Sequence, residues 1–194
     1  MIAPETTALV LLAAGRSRRF GASDKLTALF LGQPLGLHAV TALEAVPFVR
    51  RIVVKDDVAL DYAARGFVEV RNPQPEDGMS SSVRLGVQTA RAEGIEAVLI
   101  ALADMPRITA THVRRLFDAR HGPDTVVASS DGLRPCPPVL FGSGRFGALE
   151  TLEGDTGARA MILAGRHVVA APDELIDVDI EEDLAELRAK FDRV

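Results

Sequence analysis

The chain has 194 residues, with 22 Lys plus Arg against 27 Asp plus Glu, a formal net charge of −5, one Cys and no Trp. That length fits one domain with a full core, since a chain of this size buries about 70% of the surface its unfolded form exposes, and 47% hydrophobic with 25% charged residues excludes a disordered or fibrous chain. The acidic balance excludes a general nucleic-acid binder, which needs a basic surface to displace phosphate counterions, and the single Cys136 excludes an internal disulfide.

The first apolar run, ALVLLAA at residues 8–14, closes at Gly15 and suits a strand buried on both faces, hence a central one. It falls far short of the ~20 residues needed to cross a bilayer. The opening MIAPETT carries no basic segment ahead of that run, so the expectation is a cytoplasmic protein without signal or membrane span. After a polar, glycine-containing stretch, Leu37, Val40, Leu43 and Val46 recur at helical spacing until Pro47 stops them. RRIVVK at 50–55 is short and β-branched, and 66–70 is a weaker strand of the same kind. From Gly78, the residues Met79, Val83, Gly86, Val87 and Ala90 share one helical face. Ser80, Ser81 and Ser82 stand at the start of that helix, where hydroxyls cap free backbone N–H groups.

AVLIALA at 97–103 is a second apolar strand, with Asp104 at its carboxyl end. Thr109 starts a helix carrying Val113, Leu116 and Phe117, and a strand follows near 125–128. A Pro-rich segment, expected to form a small subregion over the site, runs into a strand at 139–141. Short helices around 143–149 and 156–163, a strand at 167–170 and a last helix with Leu184, Leu187 and Phe191 on one face complete the chain. Alternation of this kind implies a single α/β domain over 1–194, with a mostly parallel sheet covered on both sides. Ligands bind such sheets beyond the carboxyl ends of the strands.

The segment Ala13-Ala14-Gly15-Arg16-Ser17-Arg18-Arg19-Phe20-Gly21, with Lys25, follows the first strand directly. Small residues let backbone N–H groups approach an anion while four cationic side chains gather there, so a polyphosphate is expected. A solvated basic loop is the alternative. The Walker loop is excluded, because no Gly-Lys-Ser/Thr occurs, and the G-x-G-x-x-G fingerprint of nicotinamide enzymes is not met between Gly15 and Gly21. Asp104, in LIALADMP, is suited to hold Mg²⁺ through one or two carboxylates plus phosphate oxygens. Its alternative is a turn residue. Gly154-Asp155-Thr156-Gly157-Ala158-Arg159 reads equally as a helix start or as an acceptor-binding turn. Within the acidic run Asp177, Asp179, Glu181, Glu182 and Asp183, most charges favour a helix N-terminus and face water; Asp179 is the candidate second metal ligand. His38, His112, His121 and His167 lack paired spacing, which argues against zinc, and they read as surface or partly buried. Cys136, among Pro135, Pro137 and Pro138, reads as an inert thiol in a rigid loop.

Taken in order, LAAGRSRRFG…DKL, DGMSSSVRLGV, LADMP, PPVLF, GDTGAR and DVDIEEDL resemble the molybdenum cofactor nucleotidyltransferases, particularly their cytidylyltransferase branch, over nearly the whole chain. The resemblance implies a single Rossmann-like three-layer domain with a mixed sheet. The implied reaction transfers a nucleoside monophosphate from an NTP to the terminal phosphate of molybdopterin, releasing pyrophosphate. Lys25, Arg19 and Asp104 would then be catalytic, and Ala13, Ala14, Gly15, Arg16, Ser17, Gly21 and Lys25 would hold the triphosphate. Gly78, Ser80, Ser81 and Ser82 would lie near base and ribose; Asp104 and Asp179 would bind Mg²⁺, or Mn²⁺ in its place; Pro138, Asp155 and Arg159 would meet the acceptor. An apo-molybdoenzyme or its maturation chaperone is the protein partner this implies, with no nucleic acid and no membrane.

LAAG rather than the LAGG of the guanylyl branch makes Ala14 a pointer to CTP. Cys136-Pro137-Pro138 stands where the family commonly has Gly-His-Pro, which leaves acceptor identity open. The alternatives are a related transferase acting on a sugar phosphate or other small phosphorylated acceptor, and a non-catalytic cofactor carrier.

Overall fold

The computed structural model describes residues 2–14, 20, 24–154 and 158–191. Strand β1, Thr7–Ala13, is buried along its whole length, as an unbroken apolar run between two covered faces requires. It pairs in parallel with β4, Arg50–Lys55, on one side and with β6, Ala97–Leu102, on the other. Two-residue strands β2, Leu29–Phe30, and β3, Gln33–Pro34, form a separate antiparallel hairpin. With β5, Val68–Arg71; β7, Val126–Ser130; β8, Pro135–Gly142; and β9, Arg166–Val169, the main sheet has seven strands in the order β5-β4-β1-β6-β8-β7-β9. Strand β8 is antiparallel to both β6 and β7, and β9 is parallel to β7. The sheet is therefore mixed but mostly parallel, as expected.

Period-two alternation divides the core into layers. Leu9, Leu11 and Ala13 face one side with Val53, Leu99 and Ala101, beneath Ala39, Val40 and Leu43 of α1, Leu35–Leu43, and Val113, Leu116 and Phe117 of α3, Ala110–Asp118. Ala8, Val10 and Leu12 face the other with Ile52, Val54, Val98 and Ile100. There they meet Val83, Val87 and Ala90 of α2, Met79–Ala92, and Phe146 and Leu149 of α4, Phe146–Glu150. Met79, expected on that face, is instead half exposed. The Arg50–Glu93 ion pair, 2.8 Å, ties the end of α2 to the start of β4, so the first turn of α2 lies at the carboxyl edge of the strands.

Close approach of α2 to β1 depends on Gly86, where a Cβ would stand 2.3 Å from Cγ1 of the fully buried Val10. Gly86→Ala is expected to destabilise the fold by about 1–3 kcal/mol through overpacking. The measurement is the urea midpoint, and an unchanged midpoint would contradict this contact.

The Pro-rich segment is not a subregion of its own, since residues 135–142 form β8 inside the sheet. Cys136 accordingly lies in a strand, not a loop. Prolines are tolerated there because the register with β7 shifts between Ala128 and Ser129, which leaves Pro137 and Pro138 without ladder partners. The subregion beside the carboxyl edge is built otherwise. Leu184 and Leu187 of α6, Glu181–Phe191, pack on Phe20, Phe30, Leu35 and Val178 around the β2–β3 hairpin. Among the described residues no helix is long and apolar enough to cross a membrane.

Candidate active site

Asp104 follows β6 at the carboxyl edge, beside the end of β1, where the N–H of Ala103 donates to the Leu12 carbonyl at 3.0 Å. Ala13 and Ala14 are buried at that edge. Of the expected triphosphate loop, Gly15, Arg16, Ser17, Arg18, Arg19 and Gly21 lie outside the described residues. The Asp24 carboxylate caps a short 3-10 turn, Lys25–Thr27, by accepting the Leu26 N–H at 3.0 Å. That turn aims Lys25 inward with 8% of its side chain exposed.

The Lys25 ammonium donates to Asp104 Oδ2 at 2.6 Å and to the Val178 carbonyl at 2.8 Å, and stands 3.5 Å from Asp179 Oδ1. Residues 79 and 153 positions from Lys25 along the chain thus converge on one cation. The convergence follows from the return path after β9: Ala170 N–H donates to Ser130 and Val178 N–H to the Asp104 carbonyl, which carries the Asp177–Asp179 segment across the strand ends. Asp183 Oδ2 accepts the N–H groups of Asp179 and Ile180 at 2.8 and 2.9 Å, fixing the backbone ahead of α6.

Charge alone does not distinguish Asp177 within the acidic run, yet it adjoins this cluster through Val178, whose carbonyl accepts from Lys25 and whose N–H donates to the Asp104 carbonyl. Although it retains an exposed face, partial desolvation raises its carboxyl above the usual range, and the negative charges of Asp104 and Asp179 raise it further. The signal was present as Asp-Val-Asp: in extended backbone, residues flanking a buried valine project to the same side. Among the described residues Asp104 Oδ1 is buried without a hydrogen-bond partner.

An orphaned carboxylate oxygen with two more carboxylates nearby fits a hard divalent cation that takes one or two protein ligands and completes its shell with phosphate or water oxygens. Among the described residues no three His, Cys, Asp or Glu side chains are grouped so as to hold a metal ion, so the protein ligands here would be one or two. Mg²⁺ does not require more.

The serine run departs from expectation. Ser80, Ser81 and Ser82 are buried within α2, and no side chain caps its N-terminus at Gly78, whose φ of 83° and ψ of −173° suit glycine. Their hydroxyls satisfy other groups. Ser81 Oγ donates to the Gly78 carbonyl at 2.8 Å, while Asn72, 1% exposed, donates to Ser81 Oγ and Ser82 Oγ at 2.8 and 2.9 Å. Nothing local in the sequence distinguishes Asn72 from a turn asparagine.

Of the residues expected to meet an acceptor, Pro138 is buried and its carbonyl accepts the Ser129 hydroxyl at 2.8 Å. Asp155 lies outside the described residues, and Arg159, exposed, opens α5, Arg159–Ala164, a helix packed on β7 and β8. Burial pushes the Cys136 thiol up to about 11, with Asp131 and Asp177 adding to the effect, which agrees with an inert thiol. His112 is not a surface residue: it is 1% exposed.

Comparison with known proteins bears on this arrangement. Residues 9–169 match the MobA-like NTP transferase domain. The purine catabolism protein PucB of Bacillus subtilis is 31% identical over 191 residues, 90% of this chain and 92% of that one. A molybdenum cofactor guanylyltransferase of Cereibacter sphaeroides is 29% identical over 91% of this chain and 92% of its own. Among solved structures, the Mycobacterium tuberculosis rv0371c homolog from Mycobacterium sp. strain JC1 superposes with a TM-score of 0.79 at 26% identity, over 97% of this chain and 98% of that one.

Proposed function

The chain belongs to the MobA-like NTP transferase domain family, a nucleotidyltransferase family, and from that premise we propose that it transfers CMP from CTP to the terminal phosphate of a molybdopterin-type acceptor, releasing pyrophosphate. The observation that carries this reading is the Lys25–Asp104 ion pair, 2.6 Å, with Lys25 buried and Asp104 largely so, beside the end of β1, after which the glycine- and arginine-rich segment follows in sequence. A cofactor carrier has no need of a desolvated ammonium beside a carboxylate with an orphaned oxygen.

The acceptor phosphate is already anionic, so attack at the α-phosphorus needs alignment and charge neutralisation more than a general base. A bond forms between the acceptor oxygen and the α-phosphorus as the bond to the β-phosphate oxygen breaks, and the electron pair leaves with pyrophosphate. Lys25 supplies the neutralising charge from within the protein, and Arg19 is assigned to the same task. Asp104 and Asp179 would hold Mg²⁺, or Mn²⁺, which when bound supplies Lewis-acid stabilisation of phosphate charge. Burial of Lys25 strengthens its interaction with the leaving group relative to an exposed lysine. Gly78 and the buried serines of α2 form the side of the site assigned to base and ribose.

Ala14 favours CTP, and the likeness to a guanylyltransferase makes GTP the comparison. The Cys136-Pro137-Pro138 segment supports a second reading in which the acceptor is a sugar phosphate or another small phosphorylated compound, since it departs from Gly-His-Pro. A panel of four NTPs against molybdopterin and sugar phosphates, read by pyrophosphate release, tests both. The expected result is highest turnover with CTP and molybdopterin. Greater turnover with a sugar phosphate would select the second reading, and none with any pair would reject transfer.

A further inference from the structure

Strand β8 enters the sheet through Pro135, Cys136, Pro137 and Pro138, and the three prolines have no N–H to offer a ladder. Register with β7 runs Ala128↔Val139 and then Ser129↔Cys136, so Pro137 and Pro138 stand outside the pairing. A buried carbonyl without a ladder partner needs another donor. For Pro138 that donor is Ser129 Oγ, 2.8 Å away. Ser129, 0% exposed, lies in turn 2.8 Å from Nε2 of His112 on α3.

The direction of these bonds follows from the inventory of donors. A carbonyl only accepts, so the single hydroxyl hydrogen of Ser129 goes to Pro138. His112 Nε2 must then carry the hydrogen that Ser129 accepts. Imidazole is left with an unprotonated Nδ1, which is buried without a partner among the described residues, and its protonation is disfavoured by desolvation. One neutral tautomer is thereby fixed, and it locks the hydroxyl rotor of Ser129.

We propose that His112 and Ser129 are positioning residues for acceptor recognition: the relay from imidazole to hydroxyl to the Pro138 carbonyl holds the proline-flanked entry of β8 in one shape at the carboxyl edge, where it borders the acceptor. This rests on the reading that residues 136–138 line the acceptor site. Because β8 runs antiparallel to β6, with Val139 opposite Ile100, its proline-flanked entry lies at the carboxyl end of β6, the end that Asp104 follows. Neither His112 nor Ser129 touches substrate in this scheme.

The single cysteine of the chain provides a readout independent of turnover, because Cys136 lies within the held segment. Native-state alkylation of Cys136 with iodoacetamide and the separate KM values for acceptor and NTP are measured in wild type, Ser129→Ala, Ser129→Thr and His112→Gln. Ser129→Ala is expected to speed alkylation and raise the acceptor KM, each on the order of tenfold, with the NTP KM within about twofold of wild type. Ser129→Thr keeps the hydroxyl and His112→Gln keeps a donor at similar reach, so both are expected to stay near wild type.

Unchanged alkylation in Ser129→Ala would overturn the proposal at its structural step. Faster alkylation with an unchanged acceptor KM would overturn it at the other step, showing that the held segment does not border the acceptor. Acceptor and NTP KM values rising together would assign the relay to general stability and overturn it too. Should Ser129→Ala fail to fold, His112→Ala set against His112→Gln gives the same comparison.

Discussion

Lys25→Ala is expected to lower kcat on the order of 10²-fold or more, as removal of other electrostatic contacts to a developing charge does. The same substitution leaves Asp104, 19% exposed at its side chain, without the ammonium 2.6 Å away. Breaking one side of a largely buried pair costs about 3–5 kcal/mol, since the surviving charge remains desolvated. The two consequences are separable. In Lys25→Ala/Asp104→Ala the orphaned carboxylate is gone, so urea stability should recover relative to Lys25→Ala while turnover stays low. A Lys25→Ala enzyme within tenfold of wild-type kcat would remove Lys25 from the proposed transfer.

Excess chelator is expected to abolish pyrophosphate release, with recovery on adding Mg²⁺ or Mn²⁺, and Asp104→Asn should lower kcat/KM on the order of 10²- to 10³-fold. Asparagine keeps the shape and one acceptor oxygen, so the loss reports charge. Asp104 Oδ1, buried without a partner among the described residues, is the reason to expect the larger effect here rather than at Asp179, whose side chain is 44% exposed. Manganese affinity measured by electron paramagnetic resonance should weaken in Asp104→Asn independently of turnover. Full activity in chelator would count against a metal in the scheme.

Some expectations failed for identifiable local reasons. The β2–β3 hairpin carries no legible signal in the sequence, because its strands are two residues long and its turn is Leu31-Gly32, with φ of 47° and 76°, where Asn-Gly is the recognisable pair. Serines at a helix start look like caps from spacing alone. Here a buried asparagine from the end of β5 competes for them, and only the packing of α2 beside that strand brings it there. His112 resembled a surface residue because the helical face it shares with Val113 and Leu116 is read from neighbours, while its partner Ser129 is seventeen positions away.

By itself the sequence determined the layered α/β plan and the order of its elements. Runs of apolar residues long enough for two covered faces can be satisfied only inside a sheet, as at 8–14 and 97–103, and helical periodicity marks the pieces that cover it. It also determined that Asp104 ends a buried strand and that Lys25 follows a cationic loop. It takes the folded chain to bring these two together, to set Asp177 beside them, and to make the proline segment a strand held through Ser129. Those facts depend on contacts between residues far apart in the chain, whose energies arise from burial and desolvation that no local window of sequence contains.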